Sequence, residues 1–306
     1  MPVLVIGAAN VDLGGRSSAA ICRCDSNPGK VTTSLGGVGF NIARNLCLLG
    51  VETSLLTMLG EDTFADEIRH EAAQLHLDLH LSATISGGRT GTYLYVLNDR
   101  GDMEVAINDM AIYEALTPSF LKERRSAINS YDLIVLDANL PQNSIEYLCQ
   151  NCTVPIICDP VSVAKCGKIK TVLCRLTALK PNAIEAAALT GIPVTDDESL
   201  HHIAQKLLAT GLQQVYISLS TDGIYAENQT GESCRIPCPP VEAANATGGG
   251  DAMVAALTAC ILRGNSLAET AKTAIAAGAF ACTAQTTIHP DMSWENVEKL
   301  KRNIEK

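Results

Sequence analysis

Short, uninterrupted apolar runs spaced by helical patterns constrain this chain more than any other feature. Val3-Leu4-Val5-Ile6 is aliphatic on every side and stops at Gly7, and similar runs recur at residues 133–136, 154–158, 176–179 and 215–219. A run with no polar alternation suits a strand covered on both faces, as in a parallel sheet. Between the runs, apolar residues recur with helical spacing over residues 41–49, 64–75, 144–149, 184–189 and 200–208. Residues 251–284 read as two Ala-rich helices broken near Gly264-Asn265, and a last amphipathic helix begins near Trp294. Strand alternating with helix throughout predicts an α/β fold: a doubly wound, mostly parallel sheet in an αβα sandwich.

Two segments break the alternation. Residues 13–34 are rich in Gly, Ser and Cys and carry no helical period, and residues 89–108 read as two strands around Asn98-Asp99-Arg100-Gly101, a hairpin turn. They predict a small β-sheet lid inserted in a single domain of 306 residues, the alternative being two ordinary surface excursions. The net charge of −10 argues against nucleic acid or an anionic membrane as partner, and 4% aromatic residues argue against a base-stacking platform for single strands. No run reaches the ~18 apolar residues of a membrane span, and the N-terminus has no basic, then apolar, leader. The twelve cysteines are scattered, mostly among aliphatic residues, so they predict buried packing in a reducing cytoplasm. Cys149 and Cys152 form a CxxC without a second pair at zinc spacing.

The strongest chemical signal is Asn245-Ala246-Thr247-Gly248-Gly249-Gly250-Asp251 before an apolar helix. Glycines at a helix start let bare N–H groups converge on an anion. Asp251 either caps that helix or accepts the proton of a hydroxyl attacking phosphorus. Ser34-Leu35-Gly36-Gly37 leads into a helix carrying Asn41; it is a tight turn or a place where a ligand approaches the backbone. Asn10 and Asp12 follow the first strand, where open α/β sheets bind ligands. Asn182-Ala183-Ile184-Glu185 is either a capping box or a holder of hydrated Mg²⁺ and phosphate. Neither a Walker P-loop nor a G-x-G-x-x-G fingerprint is present, which disfavours P-loop NTPases and Rossmann oxidoreductases.

Taken in order, Gly36-Gly37-x-x-x-Asn41, Asn182-x-x-Glu185 and Gly248-Gly249-Gly250-Asp251 resemble the PfkB/ribokinase family of sugar and nucleoside kinases over essentially the whole chain. The resemblance implies an ATP- and Mg²⁺-dependent kinase with Asp251 as general base and the Gly248, Gly249 and Gly250 backbone as anion hole. It implies substrate contacts at Asn10, Asp12, Gly36, Gly37, Asn41 and Asn139, with Thr92 and Asn108 as candidates in the lid. Asn182, Ser220, Thr221, Gly223, Thr247, Gly248 and Gly250 would meet the nucleotide, residues 277–283 would lie beside adenine, and Glu185 would hold Mg²⁺ through water. The family usually begins the last motif with Asp and has Ala at its second-last small position. Asn245, Ala246 and Gly249 depart from the family pattern, and Asn245 leaves activation by K⁺ open. The stretches 26–29, 108–118 and 159–165 are most similar to a subgroup acting on the ribose 5′-hydroxyl of a C-linked nucleoside. A homodimer through the lid is a further implication, and a non-catalytic nucleoside-binding protein is the alternative on the same fold.

Overall fold

The computed structural model describes residues 1–304. In chain order its strands are β1 (Val3–Ile6), β2 (Asn10–Ser17), β3 (Gly29–Gly36), β4 (Thr53–Leu56), β5 (Met58–Leu59), β6 (Ala83–Thr84), β7 (Gly91–Leu97), β8 (Met103–Asp109), β9 (Leu133–Asp137), β10 (Ile156–Asp159), β11 (Ala178–Leu179), β12 (Gln214–Ser218), β13 (Ile224–Asn228) and β14 (Ser233–Ile236). The α-helices are α1 (Val38–Leu48), α2 (Thr63–Gln74), α3 (Pro118–Glu123), α4 (Arg125–Ile128), α5 (Gln142–Asn151), α6 (Val163–Cys166), α7 (Ala183–Thr190), α8 (Asp197–Leu208), α9 (Gly249–Leu262), α10 (Leu267–Ala281) and α11 (Trp294–Lys301).

The main sheet runs β4-β1-β9-β10-β11-β12-β13-β14. It is parallel from β4 to β12, and its last two strands are antiparallel. Side-chain alternation along each buried run splits the core in two. Val3, Val5, Leu133, Val135 and Ile157 join the cluster packed under α1, α2, α9 and α10. Leu4, Ile6, Ile134, Leu136 and Cys158 join the one under α5 and α8. This is why the runs are apolar at every position. The sequence reading missed β4, whose Thr53 and Ser54 dilute the pattern, and the antiparallel edge β13-β14, where Glu227 and Arg235 interrupt it.

The separate sheet β3-β2-β7-β8 is the lid. It is larger than the predicted segments, because β2 already begins at Asn10 and β3 continues to Gly36. Asn10 and Asp12 therefore sit on the first rungs of a lid strand and not on a loop after β1. Hydrogen bonds at its roots tie the lid to the body. The buried hydroxyl of Tyr113 accepts from the Ala9 N–H at 2.8 Å, and Thr90 donates its N–H to Asp62 at 2.7 Å.

Candidate active site

The β1, β9, β10 and β11 carboxyl ends, the start of α1, the start of α9 and the root of the lid meet on one side of the main sheet. Helix α9 is preceded by Gly248 at φ +87, a left-handed conformation, and a Cβ there would strike the Thr287 carbonyl. Its first N–H groups, those of Gly249, Gly250 and Asp251, have no acceptor within the helix; that of Ala252 is the first to find one, at Gly248 O. The result is the amide nest expected from the glycines.

Asp251 is not an N-cap: Gly248 holds that position and no side chain caps the helix. Its Oδ2 accepts from Asn41 Nδ2 at 2.8 Å, across 210 residues of sequence, while Oδ1 takes no hydrogen bond among the described residues. Burial, then the nearby Asp159, push this carboxyl up to about 7, against the pull of Asn41 and Lys180. An acid that titrates near neutrality is suited to accept a proton and release it.

Asn41 is itself held. Its Oδ1 accepts from Arg44 Nη2 at 2.7 Å, one helical turn on, and Arg44 is buried. Gly36 lies against the Asp12 carboxylate, and Gly37, at φ +96, against the Ala8 carbonyl. At both positions the protein's own atoms leave no room for a Cβ, which accounts for the glycines as a tight turn. Asp12 accepts from Asn10 at 2.7 Å, and burial raises its carboxyl to about 6.

Below the nest, Lys180 pairs with Asp159 at 3.4 Å, both nearly inaccessible, and its Nζ lies against Gly250. Burial disfavours its charge, but Asp159, Glu185 and Asp251 outweigh that and hold it protonated. Asn182 and Glu185 form the complete capping box of α7, each side chain bonding the other's N–H at 2.9 Å. The box engages only Oε2 of Glu185, which is the one hydrogen bond this buried carboxylate takes among the described residues. No cluster of three His, Cys, Asp or Glu that could hold a metal is found among the described residues. One carboxylate with a spare oxygen fits Mg²⁺ that keeps its waters and phosphate oxygens. Asn182 bridges Ser218, so the loop carrying Ser220, Thr221 and Gly223 stands beside it. Ser220 at φ +56 and Gly223 at φ +97 shape that loop, and Thr221 is exposed.

Other candidates lie further out. Asn139 donates its N–H to Asp137 at 2.8 Å and accepts from Lys165. Asn108 is opposite Tyr93, which is opposite Asp12, so these three share one lid face. Thr92, paired with Val11 and Asp109, lies on the other face, because alternation separates it from Asn108. Thr247 is exposed, and its N–H is taken by Asn245 Oδ1 at 2.9 Å, while Asn245 Nδ2 binds Gln285 O at 3.1 Å. A neutral Asn245 committed at both ends does not supply the carboxylate a monovalent cation would want there. Cys149 and Cys152 are buried, which pushes their thiols up to about 12 and about 11, whereas Cys22, Cys24 and Cys174 are exposed, against the expectation of packing.

Three residues of the site were not anticipated. Asp137, fully buried, accepts from Ala8 and Gly39 N–H at 2.8 Å each and thereby ties the end of β1 to the start of α1. Arg44 and Lys180 are the others. Their charge in otherwise apolar helix and strand patterns was the available signal.

The model of the pfkB family carbohydrate kinases matches residues 2–294. The pseudouridine kinase of Escherichia coli (strain K12) is 36% identical over 304 residues, 99% of this chain and 97% of the relative. A carbohydrate kinase from Agrobacterium tumefaciens superposes with a TM-score of 0.85 at 29% identity, covering 98% of this chain and 97% of that one. Arabidopsis thaliana ribokinase, solved with ribose and ATP, shares the fold with a TM-score of 0.85 at 22% identity and 98% coverage of both chains. With the ribokinase-like αβα body, its lid and the amide nest beside Asp251, this chain belongs to the pfkB family of carbohydrate kinases and is an ATP-dependent kinase.

Proposed function

We propose that the enzyme phosphorylates the ribose 5′-hydroxyl of pseudouridine, giving pseudouridine 5′-phosphate and ADP. The observation that carries the chemistry is Asp251, with one carboxylate oxygen held by Asn41 and the other unengaged beside the free amides of α9. The 5′-oxygen attacks the γ-phosphorus of ATP, the bond to the β-phosphate oxygen breaks, and the hydroxyl proton passes to Asp251. The amides of Gly249 and Gly250 and the Lys180 ammonium oppose charge on the transferring group. Mg²⁺ held near Glu185 would neutralise phosphate charge.

The Escherichia coli relative named a pseudouridine kinase aligns over nearly all of both chains. In addition, Tyr93 stands between Asp12 and Asn108 on the cleft side of the lid, with Tyr95 next to it at 5.8 Å between ring centroids. A pair of aromatic rings, tilted 36° to each other, next to the ribose-reading acid favours a base-bearing acceptor over free ribose. The lid closes over the base and limits ATP hydrolysis by excluding water. Its outer face pairs two copies of the chain.

The test is ADP release with pseudouridine, uridine, inosine and ribose, using wild type and Asp251→Asn. Pseudouridine should have the highest kcat/KM, and D251N should slow turnover by roughly 10²–10⁴. A D251N enzyme with wild-type turnover removes the proposed base. Saturable binding with no ADP from any acceptor would mark a non-catalytic binding protein.

A further inference from the structure

Asn41 and Asp251 leave one question that geometry alone answers: which end of the Asn41 amide faces the carboxylate. The two ends differ by a proton donor and an acceptor, and they favour opposite protonation states of Asp251. If Nδ2 faces Asp251, the facing carboxylate oxygen must be an acceptor. If Oδ1 faces it, a protonated Asp251 is the better partner, and a protonated acid cannot take the substrate's proton.

Arg44 removes the choice. Its guanidinium has donors only, so the Asn41 atom 2.7 Å from Nη2 must be oxygen. The amide nitrogen then faces Asp251 Oδ2, at 2.8 Å. The guanidinium is fixed from other directions: Nη2 also donates to Leu35 O at 3.0 Å, Nη1 meets Glu71 at 3.4 Å, and Cζ lies over the Phe40 ring, 4.7 Å from its centre. Arg44 is 6% exposed, and its Nε is buried with no partner. An arginine kept in so demanding a place, when a surface position on α1 would cost nothing, has been set there for its donors.

We propose that Arg44 is a positioning residue: by fixing the Asn41 amide as donor, it keeps Asp251 in the ionised, proton-accepting form and leaves Oδ1 for the substrate hydroxyl. The proposal rests on the reading of Asp251 as general base. Arg44 also faces Glu71, Asp251 and Asp12 electrostatically, while Asp159, Lys180 and Asp137 face Asp251 from β10, the segment after β11, and β9. Losing the cation on one side leaves two carboxylates and one ammonium on the other.

The test compares Arg44→Met, Arg44→Lys and Asp251→Asn in full pH profiles of kcat and in KM for ATP, with thermal melts as the fold control. R44M should lower kcat by about 10²-fold, leave KM for ATP within about twofold, and move the acid limb of kcat to higher pH. R44K keeps a charge, but its shorter side chain has no second terminal nitrogen to meet Glu71 while the first serves Asn41 and Leu35, so its kcat and limb should fall between R44M and wild type. Lowered kcat with the acid limb at its wild-type position in both variants would reduce Arg44 to a packing residue and overturn the proposal, as would unchanged kcat. If R44M does not fold, R44K decides on the same criterion. Wild-type turnover in D251N would instead overturn the underlying base assignment.

Discussion

At the scale of the residue, Asp251 as the proposed base has to be ionised where ionisation is resisted. Burial and Asp159 raise its carboxyl to about 7, and the same burial raises that of Asp12 to about 6. A base works only when deprotonated, so kcat/KM for the nucleoside should fall as pH drops through about 7. In Asp12→Asn that limb should persist, because it belongs to Asp251. The same shift has a consequence for stability. A carboxyl with a higher folded than unfolded pKa holds its proton more tightly when folded. The native state therefore gains stability as pH falls from about 7 toward the ordinary carboxylate range, and carries the cost of the ionised group above 7. Asp251→Asn should accordingly raise Tm by a few degrees at pH 8 and change it little at pH 5, by calorimetry at both pH values. Equal shifts at the two pH values would mean that burial does not raise the Asp251 carboxyl.

At the scale of the element, strands and helices differ in how much of their placement is local. The run Val3–Ile6 announces a two-faced strand because both faces are covered by apolar layers, and both core clusters take its residues. The capping boxes and glycines that begin α7 and α9 lie within a few residues of sequence, so they were legible too. β3 was not, since six of its eight residues are exposed and no apolar alternation marks it. Asp137 and Arg44 act through contacts that no spacing rule records: Asp137 reaches Ala8 across 129 residues, and Arg44 acts on an amide whose partner is 210 residues away. The pairing of β2, β7 and β8 likewise emerged only with the register, and it separates Thr92 from the Asp12, Tyr93 and Asn108 row. That row makes a prediction for β7. If the Tyr93 ring covers the base, Tyr93→Ala should raise KM for pseudouridine by about tenfold, given ~1–3 kcal/mol for base–aromatic stacking. KM for ribose, which has no base, should change less than twofold. An equal rise for both acceptors would place the ring's role in lid packing.

At the scale of the molecule, an acidic chain handles a polyanion by local means. A net charge of −10 is no obstacle if, as proposed, the anion meets helix amides and one buried lysine, with no basic surface required. The lid poses the opposite problem, because a four-stranded sheet has two faces and the cleft covers only one. On the other face Leu13, Leu94 and Ile107 form one cross-strand row and Val31, Val96 and Val105 lie in the next. Val31 is 77% exposed, Ile107 59%, Val105 54% and Leu94 41%. Aliphatic residues aligned across four strands and left in water are an association surface. A second copy of the same lid is the partner proposed for it, each sheet covering the other. Sedimentation velocity at micromolar concentration should give twice the monomer mass for wild type and the monomer mass for Val105→Glu/Ile107→Glu. Both substitutions are on the face away from Asp12 and Tyr93, so the double variant keeps its base and nest. What it loses is support for the lid, and KM for the nucleoside should rise several-fold while KM for ATP holds. A wild-type chain that sediments as a monomer would leave the outer face without this role.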